Sequence, residues 1–211
     1  MPDLDFYIRG ASAPPYSAAP QLHFELEAIN TDESEAIHAV ILSCQIQIES
    51  VKRSYTPDEK DKLRDLFGEP ERWGQTLRNK LWTHAQVNLP AFTDRVTVAL
   101  PVLCTYDLNV VATKYFYALD SGDVPLNFLF SGTVFYAGED GCLQAAPISW
   151  NKEASFRLPI QTWQEMIACY FPNTNWLTLH QSVFDRLYDY KQSHGLPTWE
   201  QTIDQLLTDK D

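Results

Sequence analysis

Between Ile37 and Val51, apolar and polar side chains alternate almost without a break. Val40, Leu42, Cys44, Ile46 and Ile48 share one face, while Ser43, Gln45, Gln47 and Glu49 share the other. Successive strand side chains point to opposite sides, so a period of two marks a half-buried β-strand and is incompatible with a helix. Leu22, Phe24, Leu26 and Ala28, alternating with His23, Glu25 and Glu27, read the same way. A polar turn over 30–35 joins the two runs, which predicts a long antiparallel hairpin with one face on a core and one in water. Such a face needs a cover, and the rest of the chain has to supply it.

Residues 1–20 carry Pro2, Pro14, Pro15 and Pro20 and read as an extended lead-in along an edge. Thr56-Pro57-Asp58-Glu59 is a helix start, with a capping hydroxyl, a proline at the first position and an acid at the third. That helix ends at Gly68. A second helix is predicted over 71–87, with Trp73, Leu77, Leu81 and Ala85 on one face. Strands return over 95–103, 108–119 and 126–136, followed by a pair running through Ala145 and Phe156. Gly132, inside a strand, signals a bulge or a close backbone approach. Near the end, Pro159 opens a helix carrying Ile160, Trp163, Ile167 and Phe171. Phe184, Leu187, Tyr188 and Lys191 line the next helix, closed by Gly195. Thr198 with Gln201 caps a third, bearing Trp199, Ile203 and Leu206. Strands and helices therefore come in separate blocks. The expected class is α+β: one domain over 1–211, an antiparallel sheet with a helical insertion after the first hairpin (about 55–124), and C-terminal helices packed on the sheet.

Of the 211 residues, 45% are hydrophobic and 21% charged, with a net charge of −12. That acidity disfavours nucleic acid and anionic membrane surfaces, because no basic patch exists to displace counterions. No apolar run approaches the roughly 20 residues of a membrane span. The opening MPDLDFYIRG lacks the basic and apolar regions of a signal peptide, so membrane insertion is not expected and a cytoplasmic location is. In that compartment Cys44, Cys104, Cys142 and Cys169 are expected as reduced thiols.

No catalytic or cofactor signature is present: neither a glycine-rich phosphate loop nor a nucleophile elbow. The cysteines are widely spaced and form no Cys-x-x-Cys pair. His23 and His38 would face each other across the predicted hairpin, where two imidazoles can take a metal, but two solvent-facing strand residues are the simpler account. The acidic run from Asp58 to Glu71 is interleaved with Lys60, Lys62, Arg64 and Arg72, the pattern of a solvated helix face. The expectation is no catalytic residue, no metal and no cofactor. Aromatic residues, at 13%, remain as the chemical weight of the chain. Trp73, Trp82, Tyr115 and Tyr117 are the candidate partner-binding residues, with Tyr115 and Tyr117 on one face of a predicted strand.

Two resemblances add to this reading. Over 156–192 the chain runs helix, Phe-Pro break, Leu-x-Leu, then a helix opening on Phe-Asp-x-Leu-Tyr. This resembles the end of the SecB export chaperones, with Pro159, Phe171, Pro172, Leu177, Leu179, Phe184, Asp185 and Leu187 as the matching residues. Asp185 also suits a helix N-terminus on electrostatic grounds alone. The block from Tyr55 to Val124 departs from the SecB plan and would cover the surface that SecB uses. The segments LRDLFGEPERWGQTL (63–77), LWTH (81–84), LFSGTVF (129–135) and the closing WLTL…FDRLY resemble an uncharacterised bacterial family whose genes often lie near those of uptake [NiFe]-hydrogenases. Together these imply a non-enzymatic, chaperone-like accessory protein that binds a protein partner or an unassembled subunit, in a hydrogenase setting. Homo-oligomerisation is compatible with it. The alternatives are a small-molecule- or metal-binding enzyme and a structural subunit of a larger complex.

Overall fold

The computed structural model describes residues 2–31, 36–104, 110–138, 141–172 and 179–208. Asp107, Glu139, Asp140 and Leu177 lie outside the described residues. The chain divides into two compact units, Met1–Pro172 and Asn173–Asp211.

The first unit holds two antiparallel sheets. In one, β1 (Leu4–Ser12), β2 (Gln21–Asn30) and β5 (Arg95–Leu103) lie side by side in that order. In the other, β4 (Lys80–Leu89), β3 (Ile37–Ile48) and β6 (Asp123–Ala137) are neighbours. β6 then pairs at one end with β7 (Leu143–Pro147) and at the other with β8 (Glu153–Pro159). The inward faces meet through aromatic rings: Phe24 of β2 lies 5.1 Å from Phe128 of β6 and 5.9 Å from Phe156 of β8. Phe6 of β1 sits 4.6 Å from Phe130. Around these pack Leu22, Leu26, Leu42, Ile46 and Leu126, all buried. The α+β class and the antiparallel pairing are as the sequence indicates.

Several particulars differ. The runs at 22–28 and 37–48 are strands, as their alternation requires, but they do not form a hairpin with each other. β2 is flanked by β1 and β5, and β3 by β4 and β6. Alternation fixes which face of a strand is buried and leaves its neighbours open. His23 and His38 therefore stand on different sheets. The proline-bearing lead-in contains β1, whose residues 4–8 precede the prolines at 14 and 15.

The predicted helix over 71–87 is instead a short turn and a helix, α3 (Trp73–Thr76), followed by β4. A register shift opposite Ile46 and Gln47 makes Trp82 a bulge residue, and the inward residue Ala85 falls three positions after it and Leu89 four positions after that. A bulged strand thus mimics helical spacing. The converse holds at 110–117: VVATKYFY has the composition of a strand but forms α4 (Val110–Tyr117).

The helix start at Thr56 is built as expected. Thr56 Oγ1 accepts from Glu59 N–H at 3.2 Å, and Glu59 Oε2 accepts from Thr56 N–H at 3.0 Å. α1 (Pro57–Lys62) and α2 (Arg64–Phe67) follow, and Gly68 ends the run at φ 76°. α5 (Ile160–Tyr170) packs against β2 and β8 with Ile160, Trp163 and Met166 buried. Gly132 is a close approach: a Cβ there would lie 2.0 Å from the Ile41 carbonyl oxygen of β3. No described helix is long and apolar enough to cross a membrane.

The second unit is a helical hairpin of α6 (Gln181–Ser193) and α7 (Trp199–Thr208). Gly195, at φ 61°, makes the left-handed step that ends α6. Thr198 Oγ1 accepts from Gln201 N–H at the start of α7.

Candidate interaction surface

Three of the four aromatics expected to meet a partner are inside the first unit. Trp82 is 5% exposed and lies edge-on to Phe24 at 6.2 Å and Phe116 at 5.1 Å. Trp73, 8% exposed, donates its indole N–H to the Gly68 carbonyl at 2.8 Å and packs against Tyr55 and Phe67. Tyr115 is 1% exposed, its hydroxyl 2.8 Å from that of Tyr55, and burial pushes its phenol well above the usual range. These three are core residues, which corrects the expectation that they bind a partner. Helical geometry at 110–117 places Tyr115 and Phe116 inward together and leaves Tyr117 outward, 63% exposed.

Beside Tyr115 lies a buried polar knot that the sequence hides in an ordinary charged run. Arg53 and Glu59 side chains are 8% and 2% exposed and meet at 2.6 Å. Arg53 also donates to the carbonyls of Ser121 and Asp123, each at 2.7 Å, and Glu59 accepts from the Asp120 N–H at 3.2 Å. Every contact here is structural: the knot ties the 119–123 turn to the start of α1.

Chemistry elsewhere is sparse. No group of three or more metal-ligating side chains gathers among the described residues. On the outer face of the three-stranded sheet an open trough of about 350 Å3 is lined by Ser12, His23, Glu25 and Thr97.

Burial also sorts the thiols. It pushes Cys44 and Cys104 up to about 12, whereas Cys142 and Cys169 are exposed. The thiolate is the reactive form, so at pH 8 only about one molecule in 10⁴ presents it at either raised position. Titration of native protein with a thiol reagent should therefore show two fast equivalents, rising to four in denaturant. Four fast equivalents without denaturant would contradict the buried placement.

A group of accessible aromatic residues stands in the helical hairpin. Phe184 and Tyr188, each 44% exposed, stand one turn apart on α6, with ring centroids 6.4 Å apart. Trp199 of α7 closes the group at 5.3 Å from Phe184 and 6.1 Å from Tyr188. Lys191 lies over the Trp199 ring at 5.6 Å. Val183 of α6 and Leu207 of α7 are also exposed. α6 buries no residue and α7 buries only Thr202. The sequence shows this stripe by its spacing, but spacing alone assigns it to a core.

A family profile matches residues 1–211 from end to end. The chain belongs to DUF6084, a family of unknown function. No curated protein matches the sequence. Among solved structures it is similar to the ApaA protein of Bordetella pertussis, at 16% identity over 74% of this chain and 93% of that one, with a TM-score of 0.24. It is also similar to β-glucosidase 3B of Thermotoga neapolitana, solved with α-D-glucose, at 12% identity over 74% of this chain and 17% of that one, TM-score 0.24. Likenesses at that TM-score carry neither fold nor function across.

Proposed function

We propose that this DUF6084 protein is a non-enzymatic accessory protein that captures a protein partner through its C-terminal helical hairpin. Half-exposed Phe184 and Tyr188, grouped with the partly buried Trp199, carry this reading. Aromatic side chains grouped on an accessible helix face are the usual anchors of protein interfaces. A two-helix unit of this size cannot enclose a core, so its apolar face gains most by meeting another surface. The resemblance of 156–192 to the end of SecB falls on this same hairpin at Phe184, Asp185 and Leu187. With the hydrogenase-linked resemblance, it makes an unassembled [NiFe]-hydrogenase subunit the partner to test, in the cytoplasm.

The test is co-expression of the chain with such a subunit, measuring soluble yield and co-purification. Wild type should hold the subunit in stoichiometric amounts. Phe184→Ala with Tyr188→Ala should cut capture at least about tenfold, as two hot-spot truncations do. Thermal stability of the first unit should stay within about 1 kcal/mol. Capture unchanged by the double substitution would remove the hairpin from the interface, and no capture by wild type would remove the subunit.

A further inference from the structure

The two sheets of the first unit present contrasting outer faces. On the three-stranded sheet the outward positions include Arg9, Glu25, Glu27 and Arg95, with Arg9 and Glu27 ion-paired. On the five-stranded sheet the central strands turn outward Ile41, Ser43, Gln45 and Gln47 from β3 and Leu129 and Ser131 from β6. Not one of these is charged. β4 extends the same surface with amides: Gln86 stands opposite Ser43, donates to its hydroxyl at 3.3 Å, and leaves its own face open. Charge on this side stands at the borders of the sheet, at Asp123 at the start of β6 and at Glu153 and Arg157 of β8, where Glu153 accepts from the Asn127 amide at 3.1 Å. A solvated sheet face ordinarily carries charge, and this chain has a net charge of −12 to distribute. Among the described residues the centre of this face has no acid, lysine or arginine, and its one titratable group is His84 of β4, exposed directly opposite Gln45.

We propose that the outer face of the five-stranded sheet is a twofold self-association surface, closed by a second copy of the chain. Charge selects the occupant. Two chains of net charge −12 repel wherever their acidic surfaces approach. The uncharged sheet face is where they meet at least cost, and depletion of charge at the centre is what marks interface cores. Amides and hydroxyls supply both donors and acceptors, so the face is complementary to itself, as an isologous twofold contact requires. Ile41 and Leu81, both more than half exposed, supply apolar area. Strand spacing and rise give the face roughly 20 by 30 Å. Side-chain relief brings that flat area near the roughly 800 Å2 per partner of a stable interface. Two sheets stacked this way lie about 10 Å apart. With the twofold axis passing beside Gln45, whose neighbour in β6 is Leu129, that residue lies close to its own counterpart.

The test measures the mass of the full chain by sedimentation across a concentration series. Wild type should reach twice the chain mass at micromolar concentrations. Gln45→Glu and Gln45→Lys, each alone, should weaken the dimer about 100-fold, because each puts like charges together across the axis. The two variants mixed should recover a heterodimer, which a folding defect in either one would not allow. Glu25→Lys, on the other sheet, should leave the dimer intact. A wild type that stays monomeric, a dimer indifferent to charge at Gln45, or a mixture that fails to recover would each overturn the proposal. Loss of the dimer through Phe184→Ala instead would move self-association to the hairpin and overturn it equally.

Discussion

Replacing Glu59 by Ala should destabilise the first unit by about 3–5 kcal/mol, since it leaves a buried guanidinium without its counter-charge. Arg53 keeps its bonds to the Ser121 and Asp123 carbonyls, which satisfy donors without neutralising charge. The same change removes the acceptor for the Asp120 and Thr56 N–H groups, undoing the capping box of α1. Urea denaturation monitored by tryptophan fluorescence checks the value. Arg53→Met together with Glu59→Leu should regain most of the loss, because apolar side chains of similar volume carry no desolvation cost. A cost under about 1 kcal/mol for Glu59→Ala would mean that the pair is solvated.

Trp82→Ala should cost a similar amount, about 3–5 kcal/mol, by the ordinary penalty for emptying a large core site. The indole sits between the sheet residue Phe24 and the helix residue Phe116, and Phe116 in turn lies 5.3 Å from Trp163 of α5. Its loss therefore loosens α4 and α5 from the sheets together. For a domain of this size the melting temperature should fall by roughly 6–20 °C. Tyr117→Ala, at an outward position of the same helix α4, should leave it nearly unchanged. A small shift for Trp82→Ala would return that residue to the list of partner contacts.

These two sites show what the sequence reveals and what it conceals. Where side chains alternate strictly, as at 22–28 and 37–48, strand and buried face are both legible, because only one backbone geometry yields that period. Caps are legible too: Thr56 with Glu59, Gly68 and Gly195 each act through their immediate neighbours. Pairing is not legible, because β2 and β3 lie next to each other in sequence yet find partners from residues 95–103 and 123–137. At 80–89 a bulge at Trp82 breaks the period of two, and the spacing then imitates a helix. At 110–117 β-branched and aromatic composition points to a strand, while burial of Tyr115 and Phe116 against neighbours distant in sequence favours the helix. The exposed hairpin aromatics were visible by spacing, but an apolar stripe reads the same whether it faces a core or a partner.

The long reach of β3 bears on how the chain is made. Its apolar face is complete once residue 48 has left the ribosome, and its partner β6 begins only at Asp123 and ends at Ala137. At the usual pace of synthesis, about 5–20 residues per second, that strand waits roughly 4–18 seconds for its central neighbour. β4 arrives earlier and can pair along one edge, leaving the other edge of β3 open for the remainder. When β6 does arrive, the alternation of its buried and exposed side chains sets the register along the whole strand, and Gly132 sharpens it. Gly132 is the residue that lets the β6 backbone lie against Ile41, and a slip by one would put Ser131 or Thr133 in that position. The pairing that completes this sheet is therefore made late in synthesis, with a glycine in mid-strand helping to fix its register.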